Sequence, residues 1–366
     1  MRSIPMTHTD IENRSILLGM IVGSLSLLAV LAAVYFGHFQ NLKMSVITPV
    51  VSLGVASVIF LGFMLGYHHD KNTFHLRGRW GKLRRLIIAI SLATVHAAIG
   101  LLAVSAVGSL LGQFTDDASI TVAALSLACG VVAAVAMSVG YTSAATMTSS
   151  KLASSLTAFV SAGILASVVT SPDDFWWQNH FSALGRNHDI SSYAFNLTMI
   201  IGGIVVVCLA DYIASDFHRL RQMSSTYRSV RTNSIRAMLL AVGILTIIVG
   251  AVPYNSILIV HDSAAKLTFG VFALLIILLP WIAPMFSRVF FFLSYLLVVI
   301  SAATYRMFFT GTLSLTVVEL VAMLMLFIWL ILFMRQINTI YLDEKEHYHH
   351  KQKAKIKQMV HQTKEY

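Results

Sequence analysis

Charge is what this chain has least of: Asp, Glu, Lys and Arg make up 11% of its 366 residues, where a soluble domain needs about a quarter to cover its surface. A chain so poor in charge expects lipid as its main solvent, and 57% hydrophobic residues with a mean hydropathy of +0.76 say the same. Long hydrophilic stretches are lacking too, the longest being the final run 335–366. What remains cannot fold a soluble catalytic, nucleotide-binding or nucleic-acid-binding domain. No G-x-x-x-x-G-K-[ST] run is present to cradle a triphosphate, which excludes an ATP-driven pump acting alone. Cysteine is almost missing. Cys129 and Cys208 both fall in apolar runs and read as small buried hydrophobes, not as a disulfide framework.

What is present is a series of apolar runs. A spanning helix needs about 20 predominantly apolar residues, and ten segments qualify: 15–36, 44–66, 86–110, 119–141, 152–170, 192–214, 237–252, 265–286, 289–309 and 313–334. The first lacks a strongly basic leader and an A-x-A site, so it is expected to be a retained helix and not a signal peptide. The expected fold is all-α, a polytopic bundle of about ten spanning helices with both termini cytoplasmic, in the plasma membrane. Four parts are expected: a cytoplasmic N-terminus 1–14, a four-helix part 15–151, a six-helix part 152–334 and a basic cytoplasmic tail 335–366. Pro280 and Pro284 remove two backbone donors in one turn and predict a kink in the eighth helix; Pro49 predicts a milder one in the second.

The formal charge of +10 follows the loops and so argues for membrane topology, not nucleic acid. With both ends inside, 22 of the 26 Lys and Arg fall on the inner side, among them Lys71, Arg77, Arg219, Arg221, Arg228 and Arg231, and only Lys43, Arg186, Lys266 and Arg306 fall outside. The positive-inside rule demands such a split. Helices three to five are rich in Ala, Ser, Gly and Val, which lets backbones approach where lipid supplies no hydrophobic push. Helices eight to ten are bulkier and are expected to face lipid. The tail carries Tyr341, Tyr348, Ile356 and Met359 at roughly helical spacing and reads as a solvated or surface-lying basic helix attracted to anionic headgroups. Neither His347, His349 and His350 nor His68, His69, Asp70 and His75 have the spacing of a zinc signature, so no metal and no cofactor is expected.

Polar residues inside the apolar runs come next. His96 lies about ten residues into the third helix, roughly 15 Å deep. It is either a functional group or a histidine hydrogen-bonded to a neighbouring carbonyl, locking two helices. Arg306 and Glu319 flank the hairpin between helices nine and ten at comparable depth, where an ion pair persists and an isolated carboxylate does not. That pair is either structural or a clasp for a headgroup. Asp211 sits near the inner end of helix six beside His218, Arg219 and Arg221, and a structural pairing is expected.

The densest polar stretch joins helices five and six. Asp173 and Asp174 follow Pro172, and the aromatic cluster Phe175, Trp176 and Trp177 suits a membrane interface. His180, Ser182, Asn187, His188, Asp189, Ser191 and Ser192 come next, with Asn196 one turn into helix six. A serine, a histidine and an aspartate in one loop carry little weight as a triad without geometry, and no G-x-S-x-G elbow is present; no catalytic residue is assigned. Gly185 reads as a turn and Ser191–Ser192 as the N-cap of helix six. The loop after helix seven brings His261, Asp262 and Lys266 to the same face, so a cluster of histidines and carboxylates is expected if it packs on the connector.

The run W-W-x-x-H-F-S-A-L-G from Trp176 to Gly185, S-S-Y-A-F-N from Ser191 to Asn196, the Gly202–Gly203 pair and V-G-A-V-P from Val249 to Pro253, with His261 and Asp262 downstream, resemble the bacterial domain-of-unknown-function family numbered 998. That family is related to the Frag/DRAM/Sfk group of multi-pass membrane proteins. The resemblance covers roughly 152–334. It implies a multi-pass membrane fold and, through the wider group, a link to lipids; it assigns no role to Ser182, Leu184, Gly185, Ser191, Phe195, Asn196 or His261.

The first functional expectation is a non-enzymatic membrane protein with an outward-facing pocket for a lipid headgroup or small polar solute. His180, Ser182, His188, Asp189, Asn196, His261 and Asp262 would line it, with Arg306 and Glu319 at its edge, and His96 and Asp211 as separate intramembrane polar groups. The expected partners are membrane lipids, with anionic headgroups at the basic loops and tail. Two alternatives stand beside it: a scaffold or sensor without a ligand, and a membrane-embedded enzyme acting on lipids through His180, His188 or His261.

Overall fold

The computed structural model describes residues 7–37, 44–67, 78–114, 122–253 and 257–362. Among them are ten α-helices and no strand: α1 (His8–Gly37), α2 (Met44–Gly66), α3 (Gly78–Phe114), α4 (Val122–Ala145), α5 (Ser149–Val169), α6 (Ile190–Met223), α7 (Thr232–Ala251), α8 (Leu258–Ile282), α9 (Arg288–Phe309) and α10 (Leu315–Gln362). Each is long and apolar enough to cross a membrane. The chain is an all-α, multi-pass membrane protein. A helix satisfies its own backbone polar groups, as hydrocarbon requires, while large side chains such as Leu17, Val50 and Phe292 stand exposed on its outside. Lys43, His68, His69, Asp70, Lys71, His75 and Arg77 lie outside the described residues.

Several helices outrun their apolar segments, because a helix continues through polar residues when its ends are capped. α1 begins at a capping box in which Asp10 N–H donates to Thr7 Oγ1 at 3.1 Å and Thr7 N–H to Asp10 Oδ2 at 2.9 Å. Arg219 and Arg221, expected in a loop, belong to the last turns of α6. His261, Asp262 and Lys266, also expected in a loop, occupy the first turns of α8. The expected kink in α8 is an ending instead: Pro280 stands in its last turn and Pro284 beyond it, and the carbonyl of Ile282 accepts the Arg231 N–H at 2.8 Å. The tail is helical, but as one unbroken continuation of α10. It is held beside the 3-10 turn Ser225–Ser229, where the Tyr227 hydroxyl donates to Glu344 at 3.1 Å. Burial first, then the Glu344 carboxylate, pushes the Tyr227 phenol up to about 12.

The chain divides into two compact units, residues 1–147 with 158–166, and residues 148–157 with 167–366. In the first, α1 and α2 both pack on α4, and α2 also on α3. Small residues make this possible: a Cβ on Gly23 of α1 would stand 2.7 Å from the Gly130 carbonyl of α4. Ser138 of α4 donates to the Ser15 carbonyl of α1 at 2.9 Å, and Ser105 of α3 to Ser52 of α2 at 2.9 Å. His96 shares Nδ1 with the Leu92 carbonyl of its own helix at 2.8 Å and lays its ring 4.7 Å from that of Phe63 on α2. Ring packing carries His96 across to the neighbouring helix.

In the second unit α6 packs on α7, α7 on α8, and α10 on α9 and α6. The α6–α7 seam is the tightest. A Cβ on Gly203 would stand 2.6 Å from the Gly243 carbonyl, and one on Gly243 2.7 Å from the Gly203 carbonyl. Asp211 of α6 is ion-paired with Arg236 of α7 at 2.9 Å. Both ends of α5 bond to α6: Ser149 to Asp216, and Ser167 with Ser191 through reciprocal hydroxyl-to-carbonyl bonds of 2.8 Å. The last three helices share an aromatic core around Trp329, which is fully buried. Its indole N–H donates to Ser294 at 2.9 Å, its ring stacks on Phe333 at 4.7 Å and meets Phe272 edge-on at 5.0 Å.

Candidate functional site

The connector between α5 and α6 folds as two short 3-10 turns, Trp176–Gln178 and Phe181–Gly185. Most of its conspicuous polar residues hold it in place. Asp189, not the Ser191–Ser192 pair, is the N-cap of α6, accepting the Ser192 N–H at 2.8 Å. Ser191 is buried in the bond to Ser167 described above. Asn196 donates to the Gly185 carbonyl at 3.1 Å and to Ser192 at 3.4 Å, and a side chain at position 185 would strike Asn196 Oδ1 at 2.5 Å. Phe195 is buried with its ring edge-on to Phe181 at 5.5 Å. Ser182 is half-buried and His188 exposed.

The connector and the first turns of α8 do share one neighbourhood. His261 is buried, and its Nδ1 lies 2.7 Å from the Val252 carbonyl at the end of α7. A carbonyl can only accept, so Nδ1 is the donor of this bond. Burial lowers the pKa of His180, the His261 and Arg186 charges lower it further, and Asp262 opposes them. Asp262 is paired with Lys266, one helical turn on, at 2.6 Å.

Glu319 ties this neighbourhood to α10. Its Oε2 accepts the backbone N–H of Phe181, the first residue of the second 3-10 turn, at 2.6 Å. The expected pair with Arg306 is not formed: Arg306 is exposed in the last turn of α9. Successive residues on a helix point about 100° apart, and it is Tyr305, not Arg306, that lines a cavity together with Glu319. That cavity has a volume of about 770 Å³ and lies between α8, α9 and α10. Its lining runs along α8 from Asp262 to Ile276, along α9 from Leu297 to Phe309 and along α10 from Leu315 to Met325.

The polarity of the lining is uneven. Asp262, Lys266, Tyr305 and Glu319 stand at one end, Ser301 lies further in, and the rest is apolar down to Phe272, Ile276, Leu297 and Met325. Fourteen residues of α8 separate the charged end at Asp262 from the apolar end at Ile276, about 21 Å at 1.5 Å per residue. Gly270 lines the middle, and a Cβ added there would meet nothing within 4 Å.

No protein-family model, no curated protein and no solved structure matches the chain.

The geometry therefore has to speak alone. Of the residues singled out in the sequence, Asp262, Lys266 and Glu319 line the cavity, and His180 and His261 stand close to its charged end. Ser182, His188, Asp189, Asn196 and Arg306 are not in its lining, and neither His96 nor Asp211 is. Sequence reasoning missed Tyr305, Ser301 and the floor of the cavity. The signal was there in the small residues Ala265, Gly270, Ala273, Ala302 and Ala322, which leave room among bulky neighbours. Among the described residues no three His, Cys, Asp or Glu side chains converge as metal ligands do.

Proposed function

We propose that this membrane protein binds a lipid-like amphiphile, its chain in the cavity between α8, α9 and α10 and its headgroup among Asp262, Lys266, Tyr305 and Glu319. The observation that carries the reading is the polarity of the cavity: apolar over most of its depth, with its charges gathered at one end. Its volume falls inside the roughly 300–1,000 Å³ of small-molecule sites. The connector braces the headgroup end from outside the lining, since the Phe181 N–H is bonded to Glu319 and Leu184 and Gly185 are bonded to Ser191 and Asn196. In this reading the positive-inside count sets both termini on the cytoplasmic side of the plasma membrane and the mouth on the outer side. The resemblance to the bacterial 998 family and its lipid-linked relatives points the same way, by analogy of fold alone.

The test is native mass spectrometry of the detergent-purified protein beside Gly270→Leu. Leucine enters open space there and favours the helix over glycine by about 1 kcal/mol, so it fills the cavity without loosening the fold. The wild type is expected to carry a lipid adduct and Gly270→Leu to lose it. Equal occupancy in the two proteins, or none in either, would reject the site.

A further inference from the structure

The headgroup end of the cavity also has a sign. Asp262 and Lys266 cancel one another at 2.6 Å. Glu319 is left over: among the described residues no cation pairs with it, and its one hydrogen bond comes from a neutral backbone N–H, that of Phe181 at 2.6 Å. The nearest candidate cation in sequence, Arg306, is not in the lining. A carboxylate on an apolar wall is costly unless a cation or donor meets it. The connector meets only one of its two oxygens, and the residue lines the cavity. Tyr305 and Phe308 of α9 line the same cavity, and aromatic faces attract alkylammonium groups.

We infer that the ligand of this cavity is an amphiphile with a positively charged amine head, whose ammonium pairs with Glu319 while its hydrocarbon chain runs between α8, α9 and α10 towards Phe272 and Met325. The inference rests on the reading of the cavity as a lipid site and adds the chemistry of the head. An anionic head would face Glu319 directly and is excluded by charge. With a neutral head Glu319 has no counter-ion and takes up a proton instead, so the charge-assisted contact is lost.

Three probes of equal chain length separate these cases: hexadecylamine, hexadecanol and hexadecyl sulfate, titrated against the full-length protein in maltoside micelles. Binding is read by thermal stabilisation and by adducts in native mass spectra, and the part abolished by Gly270→Leu is counted as binding in the cavity. The unmodified protein is expected to bind the amine about tenfold more tightly than the alcohol, the gain of one charge-assisted contact, and the sulfate least. Glu319→Gln keeps the acceptor for Phe181 and removes the charge. It is expected to bring the amine-to-alcohol ratio down to about twofold or less, with the alcohol affinity moving far less.

An amine preference that survives Glu319→Gln, or tighter binding of the sulfate, would overturn the inference. The ranking of the three probes on the unmodified protein tests it even should the variant fail to fold. If the alcohol binds in a manner sensitive to Gly270→Leu but the amine gains nothing, the cavity is a lipid site and the charged head is wrong. If no probe shows binding sensitive to Gly270→Leu, the lipid site and this inference fall together.

Discussion

The α6–α7 seam and the space between α8, α9 and α10 lie in one unit, and they use small residues to opposite ends. In the seam, Gly203 and Gly243 are small so that two backbones touch, with no room for a single added carbon on either. Around the cavity, Gly270 is small and nothing approaches it. The seam is backed by the Asp211–Arg236 ion pair. The cavity has its packed part displaced to the aromatic cluster of Trp329, Phe333, Phe290 and Phe272. In lipid no hydrophobic push closes a gap between helices, so a bundle keeps an opening wherever side chains are not shaped to fill it. A small residue therefore signals close contact or vacant space, and only the facing helix says which.

One substitution made in both places breaks the comparison most sharply. Gly243→Leu drives a side chain into the Gly203 carbonyl and the Val207 backbone, and overpacking of this kind costs about 1–3 kcal/mol or more. Loss of a monodisperse peak in detergent, or a much lower unfolding midpoint, is the expected outcome. Gly270→Leu should leave that midpoint unchanged or raise it. Equal damage at the two glycines would mean that the seam is no tighter than the cavity wall.

Asp211→Ala sits between these extremes. It strips Arg236 of a partner whose side chain is only 13% exposed, and losing a hydrogen bond between charged groups costs about 1.5–3 kcal/mol. Thermal unfolding of the detergent-solubilised protein checks this, and a midpoint within error of wild type would demote the pair to a surface contact.

The smallest effect belongs to His180. Its pKa in the folded chain lies below the ordinary 6.5, so the native ring binds fewer protons than the unfolded one. Its contribution is intact above about pH 6.5 and is lost as the pH falls below that value. Between pH 7 and pH 5 the wild type should lose more of its unfolding midpoint than His180→Gln does. Parallel slopes would show that the connector does not sense that proton.

The ten helices were legible in the sequence because each is an uninterrupted apolar run, which a membrane requires and a soluble fold does not. Their ends were not legible. The Thr7–Asp10 capping box and the last turns of α6 are polar stretches that stay helical through their own hydrogen bonds, which hydropathy does not register. Glu319 stood out as a lone carboxylate, yet its partner was the Phe181 backbone, and a backbone N–H has no signature in a sequence. The N-cap of α6 was assigned two residues too late for a similar reason: Asp189, Ser191 and Ser192 are all good caps, and only the backbone conformation of Asp189, extended at φ −124° and ψ 177°, selects among them. The cavity is an arrangement of three helices separated by loops, and no single stretch encodes it.

Helix α10 has a mechanical property as well. Its 48 residues are unbroken from Leu315 to Gln362, a rod of about 72 Å at 1.5 Å per residue. A lever of that length amplifies: a tilt of about 5° around the end bearing Glu319 sweeps the other end through about 6 Å. Movement too slight to resolve at the cavity becomes a measurable displacement far from it, and a label on the exposed Lys351 would record it without touching a single residue of the site.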